Sequence, residues 1–357
     1  MERLGIVGLP NAGKSSLFNA LTGGSAVVAP HPFSTTETNV GVAHVPDRRL
    51  TALAEMSKSR KVVPATVEFV DIAGLVAGSA SGEGLGNRFL AGIREADALC
   101  LVLRSFEDAN VPGGTDPLDD LTVLELELVL ADAATADNQL DKRRRAAKSG
   151  DRQAAAEAEA LDAASKVLQD GTPIWRSALT KEQRSALRPF FLLTNKSVLA
   201  VVNIGEAQLA DADAIAQPVA KELGAEAVPV CVQLEAEAAQ LPPEERSELL
   251  EGLGLGEGAL PRVAHSAYSV LGRWTFLTTG DKESRAWTFR AGAKAPECAG
   301  VIHSDLQRGF IRAEVIRWDE LLTLGSWQAA KEAGKLRVEG KDYDVQDGDV
   351  LEIRFNV

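Results

Sequence analysis

Eight residues near the start of the chain have the types and spacing that hold phosphate groups. Gly-Leu-Pro-Asn-Ala-Gly-Lys-Ser occupies Gly8 to Ser15, directly after an apolar run, Leu4 to Val7, that predicts a strand. The glycines let backbone N–H groups curl around phosphates, and the helix predicted over Ser16 to Leu21 adds partial positive charge at its start. Lys14 is placed to reach the β and γ oxygens of a nucleoside triphosphate, and the Ser15 hydroxyl to bind Mg²⁺. The sequence therefore predicts a phosphate-binding loop between a strand and a helix.

A second short motif ends another predicted strand, Thr66 to Val70. The sequence Asp-Ile-Ala-Gly, from Asp71 to Gly74, places a carboxylate and a glycine at the carboxyl end of that strand. In P-loop proteins such an aspartate holds Mg²⁺ through water, and the glycine N–H contacts the γ-phosphate. Asp71 is therefore a predicted metal residue, and Lys14 and Gly74 are the predicted stabilisers of the γ-phosphate.

The loop between these motifs, Pro32 to Thr36, carries hydroxyl groups that suit a switch segment. We predict that Thr35, rather than Thr36, completes the Mg²⁺ coordination when a γ-phosphate is present, with a plain surface turn as the alternative. Leu75 stands where Ras-like enzymes have a glutamine that orients the attacking water. The sequence therefore predicts slow intrinsic turnover and identifies no general base. The Gly-rich run Val76 to Gly86 fits either a mobile switch or a rigid turn.

The residues after the predicted strand Val198 to Val202 bear on the choice of base. GTPases carry Asn-Lys-x-Asp there, and the aspartate accepts hydrogen bonds from guanine N1–H and N2–H. In this chain the stretch reads Asn203-Ile204-Gly205-Glu206, without the lysine and with a longer acid. Adenine has neither donor, so we expect a preference for ATP, with Asn203 bonding the purine and the Ile204 backbone contacting the adenine edge. Another pair, Asn195-Lys196, lacks the acid and precedes the strand, so it is the weaker candidate.

The order of patterns along the chain predicts an α/β fold with two additions. Strand-like runs alternate with Gly-rich turns and helices, as in a parallel sheet. An Ala-, Glu- and Leu-rich stretch, 118–190, predicts two antiparallel helices that meet near 148–151. The expected domains are a nucleotide-binding domain at 1–117 and 191–270, the hairpin at 118–190, and an α+β module at 271–357 whose last strand follows the turn 345–349. The further expected elements are the strands Leu99 to Leu103, Ser197 to Val202, Ala227 to Val232, Trp287 to Phe289 and Leu351 to Phe355, and a helix from about Asp213.

Composition excludes several classes of protein. With 45% apolar and 25% charged residues and no apolar run of roughly 20 residues, the chain is not expected to span a membrane. The N-terminus lacks a signal-peptide pattern, which predicts a cytoplasmic location. The three cysteines and four histidines are scattered, so we expect buried thiols and no zinc site. The net charge of −13 argues against nonspecific coating of nucleic acid, and nothing predicts sequence-specific DNA binding.

The order and spacing of these motifs resemble the Obg-like ATPase family of the YchF type. That family is a branch of translation-factor P-loop proteins that prefers ATP, and the resemblance covers essentially the whole chain. The segments that carry it are GLPNAGKSS at Gly8, PFSTTE at Pro32, DIAGLVAGSASGEGLGNRFL at Asp71, NIGE at Asn203, RAWTFRAGAKAPECAGVIHSDLQRGFIRAEVI at Arg285, and GKDYDVQDGDVLEIRFNV at Gly340.

The resemblance implies roles for particular residues. It implies that Ser15 and Thr35 bind Mg²⁺ and that Ile204 contacts the adenine. Glu206 is the last residue of the same base-reading motif, Asn203 to Glu206. Asn11 matches a position at which some related enzymes hold K⁺, so K⁺ is a candidate second ion. The residues implied to hold the ATP phosphates are Asn11, Ala12, Gly13, Lys14, Ser15 and Ser16.

The resemblance also implies an architecture and a partner. The hairpin would be the family's coiled-coil arm, the C-terminal module its TGS-like, ubiquitin-like domain, and the partner the ribosome or its large subunit. One departure concerns the loop after Arg104, where family members usually carry a histidine. In this chain the loop Phe106 to Pro117 is shorter and has none, so histidine-assisted hydrolysis is not expected.

A basic cluster near the hairpin tip is a candidate contact for ribosomal RNA phosphates, with a solvated helix face as the alternative. Its members are Lys142, Arg143, Arg144, Arg145, Lys148 and Arg152. The C-terminal module is the other candidate surface, and its Trp274, Trp287 and Trp318 are expected in the core rather than stacked on bases.

The predicted function is an Mg²⁺-dependent ATPase switch that binds ribosomes. Two alternatives remain at the level of sequence. One is a binding module that nucleotide stabilises and that hardly turns over, and the other is an ordinary GTPase.

Overall fold

The structure, a computed structural model, describes residues 2–23, 27–29, 38–72 and 85–356. The chain forms two compact units. The first comprises Met1–Ala43 and Glu68–Ala267, and the second comprises His44–Val67 and Tyr268–Val357.

A mainly parallel sheet forms the centre of the first unit. Its strands are β1 Arg3–Gly8, β2 Val27–Ala29, β3 Thr38–Val45, β5 Ala65–Asp71, β6 Ala98–Arg104, β7 Ser197–Asn203 and β8 Ala227–Val230. Within the described residues their order across the sheet is β2-β3-β5-β1-β6-β7-β8. β1 pairs in parallel with β5 and β6, β6 with β7, and β7 with β8, whereas β2 and β3 are antiparallel.

Helices surround and extend this sheet. They are α1 Lys14–Thr22, α3 Leu85–Glu95, α4 Pro117–Lys148, α5 Arg152–Gln169, α6 Lys181–Ala186, α7 Ala212–Leu223, α8 Val232–Ala238, α9 Pro243–Gly252 and α10 Leu260–Val270, which runs past the end of the first unit. Short 3₁₀ turns occupy Ile174–Arg176, Arg188–Phe190, Leu193–Asn195 and Glu206–Asp211.

The central strands β6 and β7 are apolar and almost wholly buried, as expected for parallel strands covered on both faces. Their parallel pairing brings the carboxyl ends of several strands to one edge of the sheet. Gly8 pairs with Val102, Arg104 with Asn203, and Ile6 with Asp71. This edge therefore carries most of the polar residues that the sequence singled out.

The helical hairpin confirms the predicted break near Ser149. The Asp116 and Asp151 side chains accept hydrogen bonds at the starts of α4 and α5, and Gly150 adopts a left-handed φ of 93° between the two helices. The prediction that the second helix runs on towards Phe190 is wrong. α5 ends at Gln169, because Gly171 at φ 76° and Pro173 do not continue a helix.

A mixed sheet forms the second unit. Its strands, in order across the sheet, are β12 Arg337–Glu339, β11 Phe310–Arg317, β13 Asp349–Phe355, β9 Arg273–Thr278, β10 Ser284–Arg290 and β4 Val62–Val63. Its helices are α2 Arg48–Ser57, α11 Ala295–Ile302, α12 Ser304–Arg308, α13 Trp318–Leu324 and α14 Trp327–Glu332.

Residues 44–67 differ from the sequence-based boundaries, which assigned them to the nucleotide-binding domain. In the structure they belong to the second unit, where β4 pairs with β10 and Arg49 forms an ion pair of 2.6 Å with Asp347. The Ser59 hydroxyl lies 2.7 Å from the Ser284 hydroxyl. The division of the chain into three domains remains a prediction.

Aromatic side chains fill the core of the second unit. Trp287 stacks on Phe276 with centroids 6.2 Å apart, and Trp274 packs edge-on against Phe289 at 6.2 Å. Trp274 and Trp287 are half-buried and pack against the buried core of this unit, and Trp318 is also half-buried.

Candidate nucleotide-binding site

The phosphate-binding loop has the backbone conformation that its glycines predict. β1 ends at Gly8, and α1 begins at Lys14 after Asn11 and Gly13 adopt left-handed φ angles of 64° and 95°. A side chain at Gly13 would be strained and would overlap the amide of Asn203. Glycine is therefore required here by both conformation and space.

Lys14 lies within this loop with its side chain only 8% exposed. Its ammonium donates a hydrogen bond of 2.8 Å to the Leu9 carbonyl, which leaves two of its three N–H groups for other acceptors. Burial lowers the pKa of Lys14, while the carboxylates of Asp71 and Asp120 oppose that shift by favouring the charged form. The Lys14 ammonium is therefore held away from water, and an anionic ligand could supply the stabilisation that the lost water no longer gives.

Ser15 and Asp71 form a pair of oxygen ligands next to Lys14. The Ser15 hydroxyl donates to a carboxylate oxygen of Asp71 at 2.8 Å, which joins the start of α1 to the end of β5. Burial raises the pKa of Asp71, and the Ser15 hydrogen bond and the Lys14 charge oppose that rise. A hydroxyl beside a carboxylate is a donor set that fits Mg²⁺. Thr35 and Gly74, the other predicted phosphate and metal residues, lie outside the described residues.

Asn203 joins the phosphate-binding loop to the start of α8. It is 5% exposed, and its amide NH₂ donates to the Ala12 carbonyl at 2.9 Å. Its amide oxygen accepts from the Val232 N–H at 3.2 Å. Sequence reasoning assigned this side chain to the purine, whereas the structure engages both ends of the amide with the protein.

The loop between β6 and α4 is held by Arg104, which is 4% exposed. Its guanidinium donates to the carbonyls of Phe106, Val111 and Pro112 at 3.1, 3.0 and 3.0 Å. The guanidinium also lies 4.6 Å from the centre of the Phe106 ring. This loop is therefore an organised wall rather than a loose connection.

A cavity of about 580 Å³ lies at this edge of the sheet. The described residues that line it come from four segments: Asn11, Gly13 and Ser16; Phe106, Glu107, Asp108 and Val111; Asn203, Ile204, Gly205 and Glu206; and Cys231, Val232, Gln233, Ala236, Glu237 and Gln240. The structure thus brings the phosphate-binding loop and the stretch Asn203 to Glu206 to one cavity. Its size is within the range of small-molecule sites.

Comparison with known proteins is consistent with this geometry. The family model described as a 50S ribosome-binding GTPase matches residues 3–133. The model for the C-terminal part of YchF GTPases, described as a protein of unknown function, matches residues 274–356. Curated relatives named ribosome-binding ATPase YchF include one from Bacillus subtilis, 46% identical over 99% of both chains, and one from Escherichia coli O157:H7, 45% identical over 99% of both.

This chain belongs to the YchF family. A solved structure titled as the YchF GTPase of Schizosaccharomyces pombe is 31% identical, with a TM-score of 0.85 over 99% of this chain and 97% of that one. A GTP-binding protein from Pyrococcus horikoshii, at 19% identity and a TM-score of 0.61, covers both chains in full and shares the fold. The resemblance to the Obg-like family and the α/β P-loop fold are confirmed. The names differ between ATPase and GTPase, so base preference must be argued from this chain's own residues.

Sequence reasoning missed two walls of the cavity in this YchF-family chain. Neither the stretch from Phe106 to Val111 nor the residues of α8 carry a recognisable motif. The signal that could have found them is topological, because ligands bind outside the carboxyl ends of parallel strands, and β6 and β8 end beside β1 and β7. The predicted strand Ala227 to Val232 is too long: β8 ends at Val230, and α8 begins at Val232, whose N–H is held by Asn203.

The pair Asn195-Lys196, the weaker candidate for base recognition, has a structural role. The Asn195 amide donates to the Arg184 carbonyl at 3.0 Å, and Lys196 donates to the carbonyls of Arg94 and Ala96 at the end of α3. Lys196 therefore caps a helix.

The basic cluster near the hairpin tip divides into paired and unpaired cations. Arg143 pairs with Glu157 at 3.1 Å, and Arg144 pairs with Asp162 at 2.6 Å. The remaining four are exposed and form no ion pair within the part of the chain that the structure describes: Lys142, Arg145, Lys148 and Arg152.

Two exclusions made from the sequence can be compared with the structure. No helix among the described residues is both long and apolar enough to cross a membrane. Those residues also contain no cluster of three or more His, Cys, Asp or Glu arranged for a metal ion. Cys100, Cys231 and Cys298 are buried free thiols, as predicted.

Proposed function

We propose that this YchF-family protein is a cytoplasmic, Mg²⁺-dependent switch that binds ATP, hydrolyses it slowly and binds ribosomes. The observation that carries the proposal is the cavity that phosphate-binding residues share with the stretch Asn203 to Glu206. A triphosphate at one end and a base at the other match the two kinds of residue found there.

The phosphate and metal roles follow from the loop geometry. Asn11 to Ser16 hold the phosphates, with the buried ammonium of Lys14 beside them and the N–H of Gly74 as a second γ-phosphate contact. Ser15 and Asp71, 2.8 Å apart, supply oxygen ligands for Mg²⁺, directly and through water, and Thr35 completes the set. Bound Mg²⁺ would neutralise charge on the phosphates. Asn11, with its left-handed backbone, is the residue we assign to K⁺.

The preference for ATP rests on the loss of the guanine-selecting lysine and aspartate from the stretch Asn203 to Glu206. Glu206, Glu107 and Asp108 line the cavity there, and no lysine or arginine is among its described lining residues. Carboxylates accept from the adenine amino group, but they accept equally from the N1–H and N2–H of guanine, so these acceptors do not by themselves select the base. The Asn203 side chain is engaged with protein groups, so we assign adenine contact to the Ile204 and Glu206 segment and give Asn203 the task of holding that segment.

Ribosome binding rests on the relatives' names and on charge. The curated relatives are named as ribosome-binding ATPases. In this chain the exposed, unpaired cations at the hairpin tip are the surface we assign to ribosomal RNA phosphates of the large subunit, with the TGS-like C-terminal module as a second contact.

A nucleotide-stabilised binding module with negligible turnover is the second candidate. It is favoured by Leu75 in the place of a water-orienting glutamine and by the absence of histidine from the loop Phe106 to Pro117. In that case nucleotide would set the shape of the protein, and hydrolysis would contribute little.

Turnover measured with and without purified ribosomes separates the two candidates. The switch proposal predicts slow basal ATP hydrolysis that ribosomes accelerate at saturating ATP. An unchanged rate in the presence of bound ribosomes would leave only the binding module.

A matched pair of triple variants tests the contact surface in the same assay. Replacing Lys142, Arg145 and Lys148 by Gln should weaken ribosome co-sedimentation and reduce its salt slope by about one per lost phosphate contact. The control replaces Lys181, Arg188 and Lys221, which are exposed and carry the same charge elsewhere in the first unit. Equal losses in both variants would show that only net charge matters.

A further inference from the structure

Gln208 lies just behind the base end of the cavity, in the 3₁₀ turn Glu206–Asp211. It is not among the residues that line the cavity. Its amide oxygen accepts from the Gly205 N–H at 2.7 Å. Its amide NH₂ donates to the Ser105 carbonyl at 3.1 Å and lies 3.3 Å from the Ser105 hydroxyl. One side chain thus bonds two loops that are far apart in the sequence.

These two loops follow the neighbouring strands β6 and β7 and form adjoining walls of the base end. Ser105 leads directly into Phe106 and the wall that Arg104 organises, and Gly205 lies between Ile204 and Glu206. The two walls are already hydrogen-bonded to each other at one place. There the N–H groups of Ser105 and Phe106 both donate to the Asn203 carbonyl, at 2.8 and 3.1 Å. The Gln208 amide adds a second link, between Ser105 and Gly205. Two links fix the walls in both spacing and orientation.

We propose that Gln208 is a positioning residue that sets the spacing of the two walls and thereby the affinity for the nucleoside part of the ligand. The inference rests on the proposed nucleotide-binding function and adds a residue that does not touch the ligand. Among the described residues the side-chain hydrogen bonds of Gln208 go to Gly205 and Ser105 and not to the phosphate-binding loop, so we expect its substitution to affect the phosphate end little.

The chemistry requires an amide at this position. The Gly205 N–H needs an acceptor, and the Ser105 carbonyl needs a donor, and a carboxamide supplies both from one group. Glutamate keeps the shape and the acceptor but turns a second oxygen towards the Ser105 carbonyl. Alanine removes both bonds, and Ser105 is only 5% exposed, so water replaces them poorly.

Gln183 provides a matched control within the same unit. It occupies the third position of α6, and its amide oxygen accepts from the Thr180 N–H at 3.0 Å, as Gln208 accepts from Gly205. Its bonds stay within one local turn, away from the cavity. Gln183→Ala therefore measures the loss of a local glutamine cap without the loss of a bridge between walls.

The test compares ATP, GTP and inorganic tripolyphosphate binding in the full chain, each with Mg²⁺. For Gln208→Ala and Gln208→Glu we expect nucleotide affinity to fall about tenfold and tripolyphosphate affinity to stay within about twofold. Gln183→Ala should leave all three affinities within about twofold. In turnover assays the Gln208 variants should raise the KM for ATP with little change in kcat, as expected for binding made equally in ground and transition states.

Two outcomes would overturn the inference. One is unchanged nucleotide affinity in a folded Gln208→Glu protein, and the other is an equal loss for nucleotide and tripolyphosphate, which would indicate general damage to the site. Gln208→Glu keeps the side chain's shape, so it replaces Gln208→Ala if thermal unfolding shows that the alanine variant is not folded. Failure of the proposed function is a separate result, because it appears in the unmodified protein as tighter binding of GTP than of ATP.

Discussion

The two ends of the nucleotide cavity are held together in different ways. At the phosphate end the bond of the central cation is local, because the Lys14 ammonium reaches the Leu9 carbonyl five residues away, and Ser15 and Asn203 tie this loop to β5 and β7. At the base end the bonds are long-range: Gln208 reaches Ser105 across 103 residues, and the Ile204 N–H donates to the Val230 carbonyl at 3.0 Å. The residues of the phosphate end therefore come mainly from one short loop, which β5 and Asn203 hold in place, whereas the walls of the base end come from loops that only the assembled sheet brings together. Changes at the two ends should have separable effects on binding.

The largest effect is expected from Lys14→Met, which removes the charge at the phosphate end and keeps most of the side chain. We expect affinity for both ATP and tripolyphosphate to fall at least about a hundredfold, because a charge-assisted contact with phosphate is lost. Calorimetric titration in the presence of Mg²⁺ measures both.

Lys196→Met is the control for this substitution. Lys196 is half-buried, and like Lys14 it donates to backbone carbonyl groups, but at the end of α3. It should lower stability and leave ATP affinity within about twofold. Near-normal ATP binding by a folded Lys14→Met protein would show that this loop is not the phosphate site.

A smaller effect at both ends is expected from Asn203→Ala, because Asn203 is bonded to the phosphate-binding loop and to the start of α8. The substitution leaves the Ala12 carbonyl and the Val232 N–H without a side-chain partner. We expect stability to fall by about 1–3 kcal/mol and affinity for ATP and tripolyphosphate to fall together by about tenfold.

Asn195→Ala serves as the comparison, since its amide also bridges two groups, here on Arg184 alone. It should cost stability without altering either affinity. If Asn203→Ala lost only ATP affinity, the claim that this residue connects the two ends would be wrong.

The smallest effect is expected from Arg104→Lys, which keeps the charge but loses the planar fork that holds three carbonyls of the Phe106 loop. ATP affinity should fall about fivefold, and tripolyphosphate affinity should stay within about twofold. Competition binding with a fluorescent nucleotide measures the difference, with Arg184→Lys as the control. An equal fall for both ligands would contradict the separation of the two ends.

The same contrast explains what could be predicted from the sequence. The phosphate-binding loop lies within one short stretch, so spacing alone predicted that Gly13, Lys14 and Ser15 lie at the turn from β1 into α1. The position of Asp71 was predictable because the apolar pattern of its strand ends there, and Asp71 is the last residue of β5. The roles of Arg104 and Gln208 were not visible, because each depends on which loops the parallel sheet brings together.

The boundaries of the two units show the same limit. Residues 44–67 follow the first strands in sequence and show no break in composition, yet α2 and β4 belong to the second unit. Their place is decided by pairing with β10 and by the ion pair between Arg49 and Asp347, which are 298 residues apart. Local sequence patterns do not reveal a contact between residues so far apart in the chain.

Calorimetric titration of the nucleotide-free protein with ATP and with GTP, each with Mg²⁺, tests the central claim most directly. The absence from Asn203 to Glu206 of the Lys and Asp that select guanine predicts that ATP binds at least about tenfold more tightly, or roughly 1.4 kcal/mol. Tighter binding of GTP would contradict the assignment of Ile204 to Glu206 as the adenine contact.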